Sequence, residues 1–518
     1  MRLGELVAVS NSVAGASGRL DKAARLADLL KRLDPEDIPI AVAFLTGSPV
    51  QGRIGVAGSM IASAQSTEPA AEPTLGLHDV DACFGRIAGT SGRGAPGSKA
   101  QLLADLFARA THHERDFLIR LLFGELRQGA LEGVLIEAIA RAAGLPADRI
   151  RRAAMLAGAL PPVAHAALFG GDAGVSQFTL GLMRPVQPML AETAADVDEA
   201  LTDLGDASFE YKLDGARIQV HKAGDDVRVY TRTLRDVTAA SPEVVDLVRA
   251  TAARDLILDG EAIALRPDGS PRPFQITMRR FGRKLDVDRI RETLPLSPVF
   301  FDCLFIDGQP LIDEPHARRM AALADVAPAS LVVPRIVTAS RAEAEAFLAR
   351  ALAAGHEGVM AKAIGGLYAA GRRGQAWLKI KQTRTLDLVI LAAEWGHGRR
   401  RGTLSNLHLG ARDQERGGFV MLGKTFKGLT DEMLAWQTRR LVELEMARDA
   451  RTVHVCPELV VEIAFNDIQA SPVYPGGLAL RFARVKRYRL DKTAQEADTF
   501  AAVQRVYRHT TASDPPPR

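Results

Sequence analysis

The sequence has few cysteines and few aromatic residues. Its 518 residues include three cysteines, Cys83, Cys303 and Cys456, which lie far apart and never form a CxxC pair. This pattern excludes a disulfide scaffold and a cysteine-based zinc site, and it indicates a reducing compartment. Aromatic residues make up only 5% of the chain. The hydrophobic cores must therefore rest on leucine, valine, isoleucine and alanine.

A membrane-spanning segment and a strong charge imbalance are also missing. The longest charge-free stretch, residues 153–171, contains Pro161, Pro162 and His165, which favour a pair of short soluble helices over a membrane span. Glu5 interrupts the apolar part of the N-terminus, so we predict no signal peptide. We expect a cytoplasmic protein with no membrane partner. The net charge of +4 permits binding to a polyanion without establishing it.

The chain is long enough for about three domains, and its pattern changes twice. The first third has apolar residues at helical spacing, for example from Leu20 to Leu33. After Met189 the apolar and polar residues alternate as in strands, and helical runs lie between these segments. Beyond Leu386, short strand patterns separated by glycine-rich turns predict a small β-barrel. We expect the last residues, 506–518, to form a disordered tail.

One lysine stands out, in the string Glu210-Tyr-Lys212-Leu-Asp214-Gly215-Ala-Arg217 at the end of a predicted strand. A lysine is a poor nucleophile at its usual pKa of about 10.4, so it needs burial or a neighbouring positive charge before it can attack a substrate. An isolated lysine in a strand is better explained as a solvated or ion-paired residue. The interpretation of Lys212 therefore depends on the rest of the chain.

The string KLDGAR resembles the nucleotidyl-lysine motif of the covalent nucleotidyltransferases, which comprise ATP-dependent DNA ligases, RNA ligases and mRNA capping enzymes. Further segments resemble the same superfamily in the order in which they occur there: VRVYTR, LILDGEAIAL, PVFFDCLFIDG, HEGVMAK, WLKIK and RFARVKRYRLDK. One short motif could arise by accident, but an ordered series over about 280 residues could not. The chain is therefore identified as a member of this superfamily.

The resemblance implies a role for each motif residue. Lys212 would be the nucleophile that takes AMP from ATP, Glu210 would accept a hydrogen bond from the adenine amino group, and Phe301 would stack on the base. The other residues implied to bind the nucleotide are Arg217, Arg232, Glu261, Arg373, Lys379, Lys381, Arg481 and Lys492. Each suits adenylyl transfer, because negative charge builds on the phosphate oxygens in the transition state.

Two further points concern charge in the implied site. Lys379 and Lys381 alternate with apolar residues, which puts both ammonium groups on one face of a strand. Carboxylates are the ligands that Mg²⁺ prefers, so Glu261 and Glu357 are the candidate metal ligands, with Mn²⁺ as a substitute metal. Arg372 lies beside Arg373, and the sequence does not decide which of the two contacts the nucleotide.

The flanking regions decide between the acceptor classes. Capping enzymes use GTP and lack a large helical domain before the lysine, whereas here a helical pattern extends from the start to about residue 185. Within them, the stretch from Gly124 through Arg127 to Gly129 resembles the helical DNA-binding domain of ATP-dependent DNA ligases. Its glycines would let backbone N–H groups approach phosphates closely. The segments after residue 385 resemble the oligonucleotide-binding-fold (OB-fold) domain of these ligases, and the whole best matches their compact bacterial or archaeal three-domain type.

The resemblance implies a multidomain α and β fold. We expect an all-α N-terminal DNA-binding domain over residues 1–185, an α+β adenylation (nucleotidyltransferase) domain over 186–384 and a C-terminal OB-fold β-barrel over 385–505. The expected protein is a monomer at the nucleoid that encircles nicked double-stranded DNA and seals it through lysyl-AMP. Two alternatives stay open: an RNA ligase, and a non-enzymatic DNA-bridging protein with a degenerate transferase domain. Roles in replication, repair or recombination, and a role as a dispensable backup ligase, are all compatible with the sequence.

Overall fold

The computed structural model describes residues 1–124, 126, 131–282, 287–369, 373–381, 384–396 and 400–511. The chain begins with helices, continues with two five-stranded sheets and their helices, and ends with a seven-stranded sheet. We refer to these three regions as the helical part, the central part and the C-terminal part.

The helical part is built around one apolar core. Leucine, isoleucine and alanine side chains fill this core together with Phe44, Phe84, Phe107 and Phe117. Of the stretch from Gly124 to Gly129, all but Gly124 and Leu126 lies outside the described residues. The helices are α1 (Leu3–Gly15), α2 (Arg19–Leu30), α3 (Asp37–Leu45), α4 (Gly58–Ala64), α5 (Leu77–Gly89), α6 (Ala95–Arg109), α7 (His112–Phe123), α8 (Leu131–Ala143), α9 (Ala147–Ala157) and α10 (Leu160–Ser176).

The charge-free stretch 153–171 forms the end of α9 and most of α10, as two helices. Gly158, with φ of +74°, ends α9 in a conformation that suits glycine. Pro161 and Pro162 lie in the first turn of α10, where the missing N–H groups are not needed. The prolines therefore begin the second helix rather than break one. None of the described helices is both long enough and apolar enough to cross a bilayer.

The central part contains two sheets, and the chain crosses from the first to the second and returns later, after β7. The first sheet has the order β1-β10-β9-β2-β8 and the second has the order β4-β3-β5-β6-β7. The crossing is residues 212–215, which connect β2 in the first sheet to β3 in the second. The strands are β1 (Leu190–Thr193), β2 (Ala207–Tyr211), β3 (Ala216–Ala223), β4 (Asp226–Thr231), β5 (Asp255–Ala264), β6 (Leu296–Ile306), β7 (Gln309–Pro310), β8 (Arg335–Thr338), β9 (Gly358–Ala363) and β10 (Arg373–Lys381).

Helices cover the outer faces of these sheets. The apolar sides of α11 and α16 pack against the first sheet through Val197, Ala200 and Phe347, while Val244 and Met320 belong to the core of the second sheet. The helices of the central part are α11 (Val197–Leu204), α12 (Pro242–Arg249), α13 (Phe274–Gly282), α14 (Val287–Thr293), α15 (His316–Val326) and α16 (Arg341–Ala353).

The segment between α10 and β1 is hydrogen-bonded to the second sheet. His221 on β3 accepts a hydrogen bond from the N–H of Met183 at 3.0 Å through Nδ1. Gln219 accepts from the N–H of Val186 at 2.8 Å and donates to its carbonyl at 3.1 Å. The hydroxyl of Tyr230 donates to the carbonyl of Met183 at 3.0 Å. These bonds attach the exit of the helical part to the central part.

The C-terminal part is a seven-stranded sheet rather than a closed barrel. Its order is β13-β12-β11-β15-β14, with β16 pairing β11 and β19 pairing β16, and no ladder among the described strands closes the ring. One edge of β11 is divided between two strands, since residues 384–389 pair with β16 and residues 392–394 pair with β15, so the sheet branches at β11. The strands are β11 (Arg384–Trp395), β12 (Leu404–Arg412), β13 (Phe419–Thr425), β14 (Glu445–Arg448), β15 (Thr452–Val455), β16 (Val460–Phe465), β17 (Asp467–Ala470), β18 (Leu478–Arg481) and β19 (Arg484–Tyr488).

Two helices complete the C-terminal part, α17 (Asp431–Glu443) and α18 (Phe500–Thr511), and β17 pairs with β18 as a separate hairpin. Residues 506–511, which the sequence analysis assigns to a disordered tail, are the end of α18. The apolar side chains of Val503, Val506 and Tyr507 pack against the core of this part, which explains why the helix continues. Residues 512–518 lie outside the described residues.

We predict that His221→Gln makes the central part less sensitive to acid. Burial lowers the pKa of His221 to about 3, from an ordinary value of 6.5. Between these values the unfolded chain binds a proton that the folded chain does not, so the free energy of unfolding falls as the pH falls. The free energy of unfolding can be measured by urea denaturation at about pH 7 and about pH 5. Between these two pH values, that of the wild type should fall by about 2 kcal/mol more than that of the variant. An equal loss in both proteins would contradict this linkage.

Candidate active site

Lys212 lies at the crossing between the two sheets of the central part. β2 ends at Tyr211, and β3 begins at Ala216 in the other sheet. The N–H of Lys212 donates to the carbonyl of Gly358 at 2.9 Å, and the carbonyl of Lys212 accepts from the N–H of Glu357 at 3.1 Å. The backbone of Lys212 is therefore fixed to the start of β9, which sets the direction of its side chain.

Gly358 allows the close packing behind Lys212. It has φ of +144°, and a Cβ atom at this position would lie 2.1 Å from the carbonyl oxygen of Ile380 on β10. Only glycine permits both this backbone conformation and this approach. Since Gly358 pairs with Lys381 in the ladder between β9 and β10, the glycine also brings Lys381 beside Lys212.

Glu357 holds the ammonium groups of both lysines. Its Oε2 contacts Nζ of Lys212 and lies 2.6 Å from Nζ of Lys381. Burial would raise the pKa of Glu357, but the charges of Lys212 and Lys381 outweigh burial and hold that pKa below its ordinary value. Burial and the charge of Lys212 lower the pKa of Lys381. Two cations share one anion, so the group carries an excess of positive charge.

This charged group faces a cavity of about 1020 Å³ between the central part and the C-terminal part. The alternation of β10 places Trp377, Lys379 and Lys381 on its wall, as the sequence predicts for the two lysines. The C-terminal part contributes Phe482 and Arg484 to the opposite wall. The predicted site residues that line the cavity are Glu210, Lys212, Arg217, Arg232, Glu261, Phe301, Lys379 and Lys381.

Glu210 forms a buried group with Lys362 and His316. Oε2 of Glu210 lies 2.5 Å from Nζ of Lys362, and Oε1 lies 3.2 Å from Nε2 of His316. All three side chains are 1% exposed. Burial would raise the pKa of Glu210, but the charge of Lys362 and the hydrogen bond from His316 hold it below its ordinary value. Glu210 is therefore an ionised hydrogen-bond acceptor at one end of the cavity.

Aromatic rings surround this end of the cavity. The rings of Phe301 and Trp377 pack edge to face with their centroids 6.0 Å apart. Nζ of Lys362 lies 4.7 Å from the ring centroid of Phe301 and 4.3 Å from that of Trp377. Met360 lines the same region. A flat apolar wall beside a fixed carboxylate is a suitable surface for a purine base.

Arg217 is held by the protein rather than left open to the cavity. Its guanidinium donates to both carboxylate oxygens of Asp259, at 3.0 and 2.7 Å, and to the carbonyl of Met189 at 2.6 Å. The hydroxyl of Tyr368 donates to Asp259 at 2.6 Å. Burial would lower the pKa of Arg217, but the charge of Asp259 outweighs it and raises that pKa. The guanidinium lies 5.4 Å from the ring centroid of Phe301, so Arg217 supports the aromatic wall.

Two further carboxylates lie near Lys212. Oε1 of Glu261 accepts a hydrogen bond from the N–H of Gly215 at 3.2 Å, and burial raises the pKa of Glu261 to about 7. Burial and the charge of Glu357 raise the pKa of Asp214. Within the described ranges, no three His, Cys, Asp or Glu side chains are grouped closely enough to hold a metal ion. A cation at Glu261 and Glu357 would therefore need ligands from the substrate, as is usual for Mg²⁺.

The remaining predicted residues lie elsewhere. Arg481 of the C-terminal part contacts Asp214 at 3.0 Å, across the cavity mouth. Nζ of Lys492 lies 2.6 Å from Oδ2 of Asp387, inside the C-terminal part, and Lys492 does not line the cavity. Arg373 belongs to β10, but the structure describes only its backbone. Arg372 lies outside the described residues.

The structure adds residues that the sequence analysis does not select. Lys362 belongs to the segment HEGVMAK, so the motif contained a signal for it. His316 lies 106 positions from Glu210, and Tyr368 lies 109 positions from Asp259. Neither His316 nor Tyr368 belongs to a motif, so only the folded chain could bring them to the site.

Comparisons with known proteins cover most of the chain. Family models described as DNA ligase N terminus, ATP dependent DNA ligase domain and ATP dependent DNA ligase C terminal region match residues 51–140, 188–381 and 400–492. A protein named probable DNA ligase from Anaeromyxobacter sp. (strain Fw109-5) is 59% identical over 516 residues, which cover 99% of both chains. A protein of the same name from Sorangium cellulosum (strain So ce56) is 56% identical over 99% of this chain and 97% of its own.

A solved structure supports the fold. The structure named Pmar-Lig_Pre superposes with a TM-score of 0.65 at 18% identity, over 93% of this chain and 99% of that one. The predicted order of a helical, an α+β and a C-terminal β region is confirmed, and so is the predicted enzyme class. The chain belongs to the ATP-dependent DNA ligase family.

Proposed function

We propose that this ligase seals nicks in duplex DNA and that Lys212 carries the adenylyl group. The observation that supports this proposal is the contact of Nζ of Lys212 with Glu357, beside Lys381, at a cavity of about 1020 Å³. Such a volume suits a nucleoside triphosphate. The ammonium groups of Lys212, Lys379 and Lys381 on the cavity wall would attract the triphosphate and stabilise charge on its oxygens during the reaction.

In the first step, Nζ of Lys212 attacks the α-phosphorus of ATP. A nitrogen–phosphorus bond forms, the bond from the α-phosphorus to the bridging oxygen breaks, and pyrophosphate leaves with that oxygen. The ammonium group of Lys212 must lose a proton before it attacks. The proton passes to solvent in the cavity, while the carboxylate of Glu357, in contact with the amine, holds it in place for the attack. The charge of Lys381 then remains to face the reacting phosphate.

The base and sugar would bind further along the cavity. Glu210 would accept a hydrogen bond from the adenine amino group, and the ring of Phe301 would stack on the base. Arg232 lines the same cavity and would contact the sugar or phosphates. Arg217 is paired with Asp259 and supports the ring of Phe301. When ATP is bound, it would also contact the ribose. Arg373, Lys379, Arg481 and Lys492 complete the proposed nucleotide contacts.

The residues near Lys212 also fit a divalent cation. Burial raises the pKa of Glu261 to about 7, as expected of a carboxylate whose charge lacks sufficient compensation. We propose that Glu261 and Glu357 hold Mg²⁺ together with ATP oxygens. When bound, the metal would neutralise charge on the triphosphate and so favour departure of pyrophosphate. Mn²⁺ has similar ligand preferences and would substitute.

Two further steps would complete the reaction. An oxygen of the 5′-phosphate at the nick attacks the adenylyl phosphorus, and the nitrogen–phosphorus bond breaks to return the amine of Lys212. The 3′-hydroxyl then loses its proton and attacks the 5′-phosphorus, which displaces AMP and leaves a continuous strand. We propose that the enzyme acts at the nucleoid as a monomer whose three parts surround the duplex and contact its phosphates.

We predict that Lys212→Ala abolishes self-adenylation and leaves binding to nicked DNA measurable. The amine is the only group of this residue that forms the covalent bond, whereas DNA is contacted by many residues. The measurement is transfer of label from α-labelled ATP to the protein with Mg²⁺, beside labelled GTP and NAD⁺. Lys486→Ala, an exposed lysine on β19, is the control and should label normally. Sealing of nicks by Lys212→Ala would contradict the mechanism, and absence of label on the wild type would favour a DNA-bridging protein.

We predict that the protein seals nicked DNA faster than nicked RNA. We also predict that it binds nicked DNA more weakly as the salt concentration rises. Contacts with phosphates release counterions, so the logarithm of the binding constant should fall linearly with the logarithm of salt concentration. Gel analysis of sealing gives the substrate preference, and fluorescence anisotropy gives the salt slope. Faster sealing of RNA would favour the RNA-ligase alternative instead.

We predict that Glu261→Gln raises the Mg²⁺ concentration needed for half-maximal self-adenylation by about tenfold, because a carboxylate ligand is lost. The measurement is a Mg²⁺ titration of the self-adenylation rate, repeated with Mn²⁺. Glu462→Gln on β16 serves as the control, since Glu462 pairs with Arg487 and Lys486 away from the cavity. A rate that drops equally at every Mg²⁺ concentration would argue against a metal-binding role for Glu261.

A further inference from the structure

The buried group of Glu210, Lys362 and His316 lies at the aromatic end of the cavity. Glu210 and Lys362 line this cavity, and His316 lies behind them on α15. His316 is not among the residues that line the cavity, so substrate does not reach it there. Any effect of His316 on the nucleotide must therefore act through Glu210.

The contacts of His316 indicate why it is there. Nε2 of His316 donates to Oε1 of Glu210, because an ionised carboxylate has no proton to give. Nδ1 of His316 is buried and has no hydrogen-bond partner among the described residues, its nearest charged neighbour being Asp302 at 3.9 Å. Burying an imidazole with half of its polar atoms unsatisfied lowers stability. Retaining such a ring in the core fits a role in holding Glu210.

The geometry of Glu210 leaves room for one more hydrogen bond. Lys362 contacts Oε2 at 2.5 Å, while His316 at 3.2 Å and the hydroxyl of Ser208 at 3.5 Å contact Oε1. Each carboxylate oxygen has two lone pairs, so the carboxylate can still accept a hydrogen bond from a donor in the cavity. If His316 were absent, Lys362 would still fix Oε2, but Oε1 would keep only the 3.5 Å contact with Ser208, so the carboxylate could rotate about the fixed oxygen.

We propose that His316 is a positioning residue for recognition of the nucleobase. By fixing Oε1 of Glu210 it would keep the carboxylate in the orientation that accepts a hydrogen bond from a 6-amino purine. A 6-carbonyl purine presents an acceptor to the same carboxylate, so it is rejected by an unpaired and repulsive contact. The inference rests on the proposed use of ATP by Lys212, and it assigns the choice between amino and carbonyl purines to His316 and Glu210 together.

The test is single-turnover self-adenylation of the full-length protein with ATP and with inosine triphosphate. The efficiency of self-adenylation with ATP is divided by the efficiency with inosine triphosphate. We expect His316→Leu to lower this ratio about tenfold, since a hydrogen bond to a charged group is lost. The loss should appear as a higher ATP concentration for half-maximal rate, with the saturating rate changed less than about twofold. His316→Gln keeps an N–H donor and should restore most of the ratio.

A matched control exists in the C-terminal part. His408 donates from Nε2 to Oε1 of Glu394 at 3.0 Å, and Lys424 contacts the same carboxylate, which reproduces the Glu–His–Lys group away from the cavity. His408→Leu should leave the nucleotide ratio unchanged. Thermal denaturation of each variant shows whether it is folded, and His316→Gln keeps the test informative if His316→Leu does not fold.

The outcomes separate this inference from the proposed function. If the wild type is not labelled by ATP, the proposed function fails. If the wild type is labelled but folded His316→Leu keeps the wild-type nucleotide ratio, the positioning role of His316 is overturned while the function of Lys212 stands. Equal loss of ATP and inosine triphosphate use would likewise overturn the positioning role, because general damage to the fold would explain it.

Discussion

The attachment of Lys212 to the start of β9 is the constraint on which the rest of the site depends. Its backbone N–H and carbonyl bond to Gly358 and Glu357, so the chain crosses between the two sheets at a fixed place. The same two residues supply the carboxylate for its ammonium group and the glycine that lets β10 approach. The strand pairing and the charge arrangement are therefore one feature, because moving β9 would displace both.

Much of this site can be predicted from local patterns. The alternation of WLKIK places Lys379 and Lys381 on one face, and the structure has both on the cavity wall. The family resemblance of the Lys212 motif also indicated Glu210, two residues earlier in the chain. Local patterns could not reveal how completely Glu210 is buried, since its partners Lys362 and His316 come from β9 and α15. Charges brought together by distant elements become visible only in the folded chain.

The same distinction applies to the fold. Helical spacing, strand alternation and turn residues predict the three parts, since these signals come from neighbours in sequence. The branched order of the C-terminal sheet, in which β11 divides one edge between β16 and β15, depends instead on pairings between strands that are distant in the sequence. The position of Lys492 is a similar case, because the sequence contains the basic residue but not its pairing with Asp387.

The hydrogen bonds of Gln219 and His221 have a mechanical consequence. They join the segment that follows α10 to the second sheet of the central part, through Met183 and Val186. The side chains of Gln219 and His221 are buried there. The C-terminal part is joined to the central part by partly exposed contacts such as that of Arg481 with Asp214. Exposed ion pairs weaken in salt much more than buried amide hydrogen bonds do. As the salt concentration rises, the contact between the C-terminal part and the central part should therefore weaken before the contact between the helical part and the central part does.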